Sequence, residues 1–369
     1  MIVAYDLRYA SDHFAGIGKH AYALLESLLE LPGEERYAVL WDPRERTTRY
    51  DLGALRANPR VEWHEHPYHF IHPWGAWQVG RWLRRVKPDV YLSPFSLRPF
   101  FSGVPEVLTV HDVAALRVAH AASPHLNHLL YLSLLYAARA SALITDSEFS
   151  RGEIVATLPV PPRRVHAILL GVPASPASPV VPRRPAGWSA ERFAIVVGDN
   201  RPRKNLAMLA RAWSELGPSD GLVLAGIGPV DPRFPSLEQE AQRAGALQVT
   251  QLGWVPPEEW AWLYENAELL VLPSYYEGFG FPVLEAFVAG LPAVVSDIPV
   301  FREVGVAAAA YVDPHDPAAW VREVRRVASD AEARERMRAA GRARAGELTY
   351  QATATATLAL LREMPRASR

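Results

Sequence analysis

The sequence predicts an α/β protein in two successive halves, each built around a largely parallel sheet. Short apolar runs alternate with amphipathic helical patterns, a proline-rich stretch interrupts them near the middle, and the alternation then begins again. The 369 residues suggest two domains rather than one, and a 49% hydrophobic share is enough for both cores.

In the first half a strand reads at 2–5, and a loop over 6–18 carries Gly16-Ile17-Gly18-Lys19 into a helix at 20–31. The apolar spacing of Tyr22, Leu25, Leu28 and Leu29 supports that helix, and Pro32-Gly33 stops it. Further strands read at 37–41, 61–64, 89–92, 107–110 and 142–145, the later ones separated by helical patterns. From 173 to 188 the chain is rich in Pro, Ser and Ala, with Pro173, Pro176, Pro179, Pro182 and Pro185 three apart, which gives extended chain that packs poorly. A first domain is expected at 1–175, a linker at 176–188 and a second domain at 189–351.

The second domain opens with Phe193-Ala194-Ile195-Val196-Val197-Gly198-Asp199, similar in character to the opening 2–6. Strands follow at 222–225, 248–252, 269–272 and 293–296. A helix at 205–216 has Asn205 as its natural N-cap, and one at 282–290 has Pro282 in its first turn and Gly290 at its end. The tail reads as helices at 317–328, capped by Asp316, at 331–345 and at 350–363. The arginines of 334–344 read as a solvated helix face.

Composition excludes several classes. A formal net charge of -1 offers no argument for nucleic acid or an anionic surface. The absence of cysteine removes disulfides, thiol catalysis and thiolate metal sites. No early apolar run resembles a signal peptide, and none reaches the roughly 20 residues of a membrane span, so a cytoplasmic protein is expected. Zero cysteine, 32 prolines and abundant arginine fit a heat-adapted source, and equally a biased genomic base composition. Lysine occurs only at Lys19, Lys87 and Lys204, which makes a lysine in a motif loop informative.

The stretch with most chemistry is Glu277-Gly278-Phe279-Gly280-Phe281-Pro282-Val283-Leu284-Glu285, set between the strand at 269–272 and a helix start. Ligands of parallel α/β sheets bind at that end of the strands, and free helix N–H groups favour an anion such as a diphosphate. Gly278 and Gly280 let the backbone approach a ligand closely. Glu277 and Glu285 can each accept a pair of hydroxyl protons, as vicinal sugar hydroxyls require. Arg203 and Lys204, after Gly198, suit a nucleoside diphosphate both bound and departing, or are surface charges before a helix.

EGFGFPVLE preceded by Pro202-Arg203-Lys204-Asn205 resembles the retaining glycosyltransferases of family 4, the mannosyltransferase-like group 1 enzymes, over nearly the whole chain. The resemblance implies GT-B architecture: two Rossmann-like doubly wound domains facing a central cleft that closes on the donor, acceptor-binding first and nucleotide-sugar-binding second. A last helix, 352–369, would cross back to the first domain. It implies that Glu285 holds the ribose, that Glu277 meets the donor sugar, and that the Phe279 and Gly280 N–H groups face sugar or phosphate. Gly198, Arg203 and Lys204 would serve the diphosphate, and Trp254 and Val255 the nucleobase, with Trp254 alternatively core. Gly16 and Gly18 would let donor and acceptor approach, Lys19 adding charge or only opening a helix. His111 would contact the donor sugar, with Asp112 fixing its tautomer or orientation. The implied catalytic set is His111, Glu277, Lys204 and Arg203.

His64, His66, His69 and His72, among Trp63, Tyr68, Trp74 and Trp77, invite a metal reading, but their spacing matches no helical histidine pair and no cysteine completes a zinc site. That aromatic-rich loop reads instead as acceptor-facing, with Trp74, Phe95 and Asp112 as acceptor contacts and Phe100 and Phe101 either joining it or in the core. No Asp-x-Asp pair is present to hold a divalent ion, so metal-independent transfer without a cofactor is expected, from a GDP- or UDP-linked hexose to a sugar or lipid-linked acceptor. Retention without a carboxylate nucleophile implies front-face displacement. The alternatives are a GT-B epimerase or sucrose-type synthase, and a non-catalytic nucleotide-sugar-binding protein. No nucleic-acid partner is expected; peripheral contact of the first domain with the inner face of a membrane is a further expectation.

Overall fold

The computed structural model describes residues 1–11, 15–47, 49–67, 73–118, 124–172, 180–216 and 220–365. The chain divides into two compact units. The first comprises Met1–Val113, Ala122–Ala177 and Leu348–Arg369, and the second Ala114–Ala121 and Ser178–Glu347. The segment 114–121 thus belongs to the second unit, although its position in the sequence sets it inside the first domain. Pro173, Pro176 and Pro179 of the expected linker, Tyr68, His69 and His72 of the aromatic loop, and the last four residues of the tail lie outside the described residues.

The first unit carries a seven-stranded parallel sheet in the order β3-β2-β1-β4-β5-β6-β7. Its strands are β1 (Ile2–Asp6), β2 (Arg36–Trp41), β3 (Val61–Glu65), β4 (Val90–Ser93), β5 (Glu106–Thr109), β6 (Ala142–Thr145) and β7 (Val165–Ala167). β4, β5 and β6 are buried along their whole length, which is why their centres read as apolar runs, although β5 opens on Glu106 and all three end in a hydroxyl residue. The helices of this unit are α1 (Ala15–Glu30), α2 (Leu52–Ala57), α3 (Pro73–Val86), α5 (Pro124–Ala137), α6 (Glu148–Thr157) and α14 (Tyr350–Glu363); α4 (Ala114–Arg117) falls in the second unit. The strand order reverses between β1 and β4, the switch point at which ligands of such sheets bind.

Two expectations change here. α1 begins at Ala15, so Gly16 and Gly18 lie in its first turn and not in a loop before it. A Cβ on Gly18 would stand 2.8 Å from the Tyr9 carbonyl oxygen, so glycine lets this turn pass close to the chain that leaves β1. β7 was not legible, because three residues, Val165-His166-Ala167, make no apolar run.

α14 packs on α1 through buried Tyr350, Leu358 and Leu361. Fully burying each such leucine contributes about 1.5–3 kcal/mol. Thr349 caps the helix by accepting from the Ala352 N–H, and Arg362 meets Glu35 at 2.6 Å. Gly171 lies against the chain entering α14, where a Cβ would overlap the Thr349 and Tyr350 backbone.

The second unit repeats the design with six parallel strands in the order β10-β9-β8-β11-β12-β13. They are β8 (Phe193–Val197), β9 (Val223–Ile227), β10 (Val249–Gly253), β11 (Leu269–Leu272), β12 (Ala293–Ser296) and β13 (Ala309–Val312). The helices are α7 (Leu206–Glu215), α8 (Leu237–Ala244), α9 (Pro257–Asn266), α10 (Phe281–Ala289), α11 (Pro299–Gly305), α12 (Pro317–Ser329) and α13 (Ala331–Glu347). Trp213 and Trp320 are buried in this core with their indole N–H groups satisfied by the carbonyls of Leu222 and Asp313.

The arginines of α13 are not simply solvated. Arg338 donates to the Gly290 carbonyl at 3.2 Å, and Arg344 donates to those of Val304 and Glu303, each at 2.9 Å, so the helix closes the carboxyl ends of α10 and α11. Among the described residues no helix is long and apolar enough to cross a membrane.

Candidate active site

In the second unit the chain leaves β8 through Gly198 and Asp199, makes one 3-10 turn at Pro202–Lys204, and enters α7. Asn205 sits between turn and helix in the left-handed conformation, φ 57° and ψ 36°, and does not cap α7 with its side chain. Its amide donates instead to the carbonyls of Pro273 at 3.0 Å and Pro314 at 2.8 Å. The Tyr275 N–H donates to the Arg203 carbonyl at 2.8 Å. The Arg203-Lys204 turn and the chain leaving β11 are therefore cross-linked, and both cations are held beside Glu277.

The contact is close. Lys204 Nζ donates to Glu277 Oε1 at 2.6 Å, Arg203 Nη1 donates to Oε2 at 2.8 Å, and the Ser274 hydroxyl donates to Oε1 at 2.7 Å. Glu277 is only 9% exposed. Burial alone would raise its pKa, but Lys204 and then Arg203 outweigh that and bring it to about 2. Two cations and one anion give the trio one positive charge more than Glu277 balances, and Asp199, 3.9 Å from Arg203, lies beside it. Gly198, at φ 141°, makes room for it: a Cβ there would lie 2.8 Å from Lys204 Cε. A small crevice at the carboxyl ends of β8, β9 and β11 is lined by Gly198, Asp199, Lys204, Gly226, Gln251 and Ser274.

Glu277 leads through buried Gly278 and Phe279 to Gly280, which precedes α10 at φ 106°. That angle is strained for any residue with a Cβ, and a Cβ would also meet the Phe301 ring at 2.8 Å. Pro282 lies in the first turn of α10 and Gly290 ends it. Glu285, half-buried on α10, accepts from the Tyr264 hydroxyl at 3.2 Å. Burial, followed by the charge of Glu285, holds the Tyr264 pKa far up, so that hydroxyl remains a donor. Trp254 is 58% exposed, which removes the core reading, while its neighbour Val255 is buried.

In the first unit His111 follows β5. Its Nδ1 lies 2.8 Å from Asp146 Oδ2, at the end of β6, and its Nε2 lies 3.1 Å from the Pro94 carbonyl oxygen. The partner expected from the sequence, Asp112, does not make the Nδ1 contact. Asp146 is 35 residues away and enters because β5 and β6 pair side by side, Thr109 opposite Ile144. Of the other residues named as acceptor contacts, Phe95, next to Pro94, packs against the Tyr9 ring at 5.0 Å, and Trp74, 51% exposed, stacks on Trp77 at 4.7 Å. Phe101 is exposed, not core. His64 lies 3.3 Å from Glu62, and among the described residues no group of three or more His, Asp or Glu is placed to hold a metal ion.

Ser274, Tyr264, Asp146 and the brace made by Asn205 were not legible as site residues. Only Ser274 carried a signal, its position three residues before Glu277.

Fold and site together define a GT-B protein with two cations and a glutamate clustered at the carboxyl edge of its second sheet. HepE of Anabaena, solved with UDP and glucose, superposes with a TM-score of 0.71 over 99% of this chain and 100% of its own, at 15% identity, a likeness that speaks for the fold. Residues 14–175 match Glycosyltransferase Family 4 and residues 183–344 match Glycosyl transferases group 1; the chain belongs to this family. The O-antigen chain mannosyltransferase B of Escherichia coli is 33% identical over 232 residues, which are 59% of this chain and 60% of that protein. The match thus spans less than two thirds of that relative's length. The D-inositol 3-phosphate glycosyltransferase of Segniliparus rotundus is 28% identical over 90% of this chain and 76% of its own length.

Proposed function

We propose that the protein is a retaining hexosyltransferase. It moves a mannosyl or glucosyl group from a UDP- or GDP-linked donor to a hydroxyl of a sugar or lipid-linked acceptor, without a metal ion. The observation that carries this reading is the pair of cations, Lys204 and Arg203, clasped on Glu277 at the carboxyl edge of the second sheet and next to the start of α10. A departing nucleoside diphosphate gathers negative charge as the glycosidic bond breaks, and fixed cations at that place stabilise it more in the transition state than before it. Their charge does the work that a divalent ion would otherwise do.

Glu277 is a poor nucleophile in this setting, since both carboxylate oxygens already accept from cations. Retention without a carboxylate nucleophile is read, from the family resemblance, as front-face displacement. The bond from the anomeric carbon to the phosphate oxygen breaks, a bond to the acceptor oxygen forms on the same face, and the acceptor proton passes to the departing phosphate. Glu285, half-buried on α10 and accepting from the Tyr264 hydroxyl, suits the ribose, since a carboxylate can accept from two vicinal hydroxyls. The mannosyltransferase name of the Escherichia coli relative and the UDP and glucose bound to HepE support the donor classes chosen.

Calorimetry and thermal shift against UDP, GDP, ADP and their hexose conjugates, with and without Mg²⁺, test the reading. Stabilisation by one nucleotide in the absence of metal is expected. Binding that requires Mg²⁺ would remove the metal-free mechanism, and no binding to any of them would leave a fold kept without its ligand. Peripheral membrane contact through the first unit's exposed Trp74 and Phe101 is checked by flotation with anionic liposomes, where protein left at the bottom of the gradient rejects it.

A further inference from the structure

His111 lies between two acceptors. The Pro94 carbonyl oxygen can only accept, so Nε2, 3.1 Å away, carries a proton. A second proton lies between Nδ1 and Asp146 Oδ2, because two lone pairs 2.8 Å apart would repel. It rests on the nitrogen, since imidazole is a stronger base than a carboxylate. The pair therefore holds two protons and the ring is an imidazolium.

Asp146 is 3% exposed, and its second oxygen, Oδ1, is buried without a hydrogen-bond partner; burial pushes the Asp146 pKa up, and the His111 charge 2.8 Å away is what works against that. The next residue, Ser147, caps α6 by accepting from the Ser150 N–H at 3.0 Å. Asp112 adds a second negative charge from the residue next to His111. From α1, His20 presents its ring edge-on at 5.3 Å and 87°, and from α14 the Tyr350 hydroxyl lies 3.4 Å from His20 Nδ1. Burial, and then the charge of His111, keep His20 neutral, so no second cation opposes the first.

We propose that Asp146 is a positioning residue that holds His111 as a two-proton imidazolium, so that His111 acts as a cationic N–H donor to a substrate oxygen at the carboxyl edge of the first sheet and not as a base. The inference rests on the glycosyl-transfer reading. The Nε2–H now given to the Pro94 carbonyl is the one a phosphate or sugar oxygen takes over when substrate arrives, and Asp146 keeps that proton in place at neutral pH. The direction of the histidine's pKa agrees: burial opposes the charge, while Asp146 and Asp112 raise it overall.

The test uses the full chain labelled with ¹⁵N at histidine, with His111 assigned by its absence from the His111→Gln spectrum. In the ligand-free wild type both ring nitrogens of His111 are expected to be protonated at pH 7. In Asp146→Asn, whose amide oxygen still accepts from Nδ1, the His111 pKa is expected to fall by about 1–2 units. The alkaline limb of kcat/KM should move to lower pH by the same amount, and Asp146→Ala should lower kcat further through lost orientation. A wild-type His111 that titrates at an ordinary pKa of about 6.5, or an alkaline limb that stays in place in a folded Asp146→Asn protein, overturns the proposal. Should Asp146→Asn not fold, the wild-type titration alone decides. The spectrum reads the protein without substrate, so a doubly protonated His111 in a protein that turns over no donor would fault the glycosyl-transfer reading and the donor role while leaving the dyad's charge standing.

Discussion

The two units wind their strands in the same sense and place a charged cluster at the carboxyl edge of each sheet, yet the clusters respond to pH in different ways. In the second unit one carboxylate, Glu277, meets two cations of high pKa, so the group stays ionised down to about pH 2 and its charge is fixed. In the first unit one carboxylate, Asp146, meets a histidine, whose proton is held above the ordinary imidazole value yet leaves far more readily than that of a lysine or arginine. Asp6, the last residue of β1, and Arg8 form a third pair, with 2.6 Å between them and the Tyr91 hydroxyl donating to Asp6 at 2.8 Å. It resembles the Glu277 trio in holding its charge: burial works against ionised Asp6, but Arg8 overrides it and the pKa lies below the usual range. The partner's own basicity, more than burial, decides whether a buried acid becomes a fixed charge or a switch.

Lys204→Ala should give the largest effect, a fall in kcat of roughly 10²–10³-fold, with the alkaline limb of the pH profile left where the first unit sets it. A loss of only a few-fold would break the contrast by removing the fixed cation from the chemistry. Glu277→Gln sharpens it through stability. A carboxyl pKa lowered from 4.5 to about 2 corresponds to roughly 3 kcal/mol of stability. Because the folded pKa is depressed, that contribution is present above about pH 4.5 and is lost as pH falls toward about 2. The difference between wild type and Glu277→Gln in urea unfolding should therefore shrink across that window, and a constant difference would contradict a fixed charge there.

Glu285→Ala comes next. Its carboxylate is only half-buried and accepts from Tyr264, so its loss should weaken donor binding by about 10-fold in calorimetry, with kcat at saturating donor little changed. Unchanged affinity would take it out of the ribose site. Asn205→Ala should be the smallest, about 1–2 kcal/mol of stability from two carbonyls left without their donor. Asn205→Gly keeps the left-handed backbone but loses the same bonds. Equal stability in Asn205→Gly and wild type would show that conformation, and not the brace, sets the turn.

Much of the fold was legible. The strands at 142–145, 269–272 and 293–296 have the bounds read from sequence, because each is a mostly apolar run buried on both faces and bounded by polar residues or proline. β13 was missed, since Ala309-Ala310-Tyr311-Val312 lacks the bulky apolar run that marks the central strands. The site divides in the same way. Glu277, Glu285, Arg203 and Lys204 were singled out by the family resemblance of the stretches that hold them, and the structure brings Arg203, Lys204 and Glu277 together. Asn205 was read as a cap because residue type alone favours that role; its left-handed backbone gives the side chain a different task.

By itself the sequence determined what is local: which runs are strands, where glycine permits a turn that a Cβ would block, and which charged residues stand at strand ends. The tertiary structure alone decided the partners. Lys204 reaches Glu277 across 73 positions because β8 and β11 are neighbours in the sheet, and His111 reaches Asp146 because β5 and β6 are. Parallel strands bring their carboxyl ends to one edge whatever their distance along the chain, so strand order chooses which charges meet. The meeting then sets their pKa values, which no spacing in the sequence can supply.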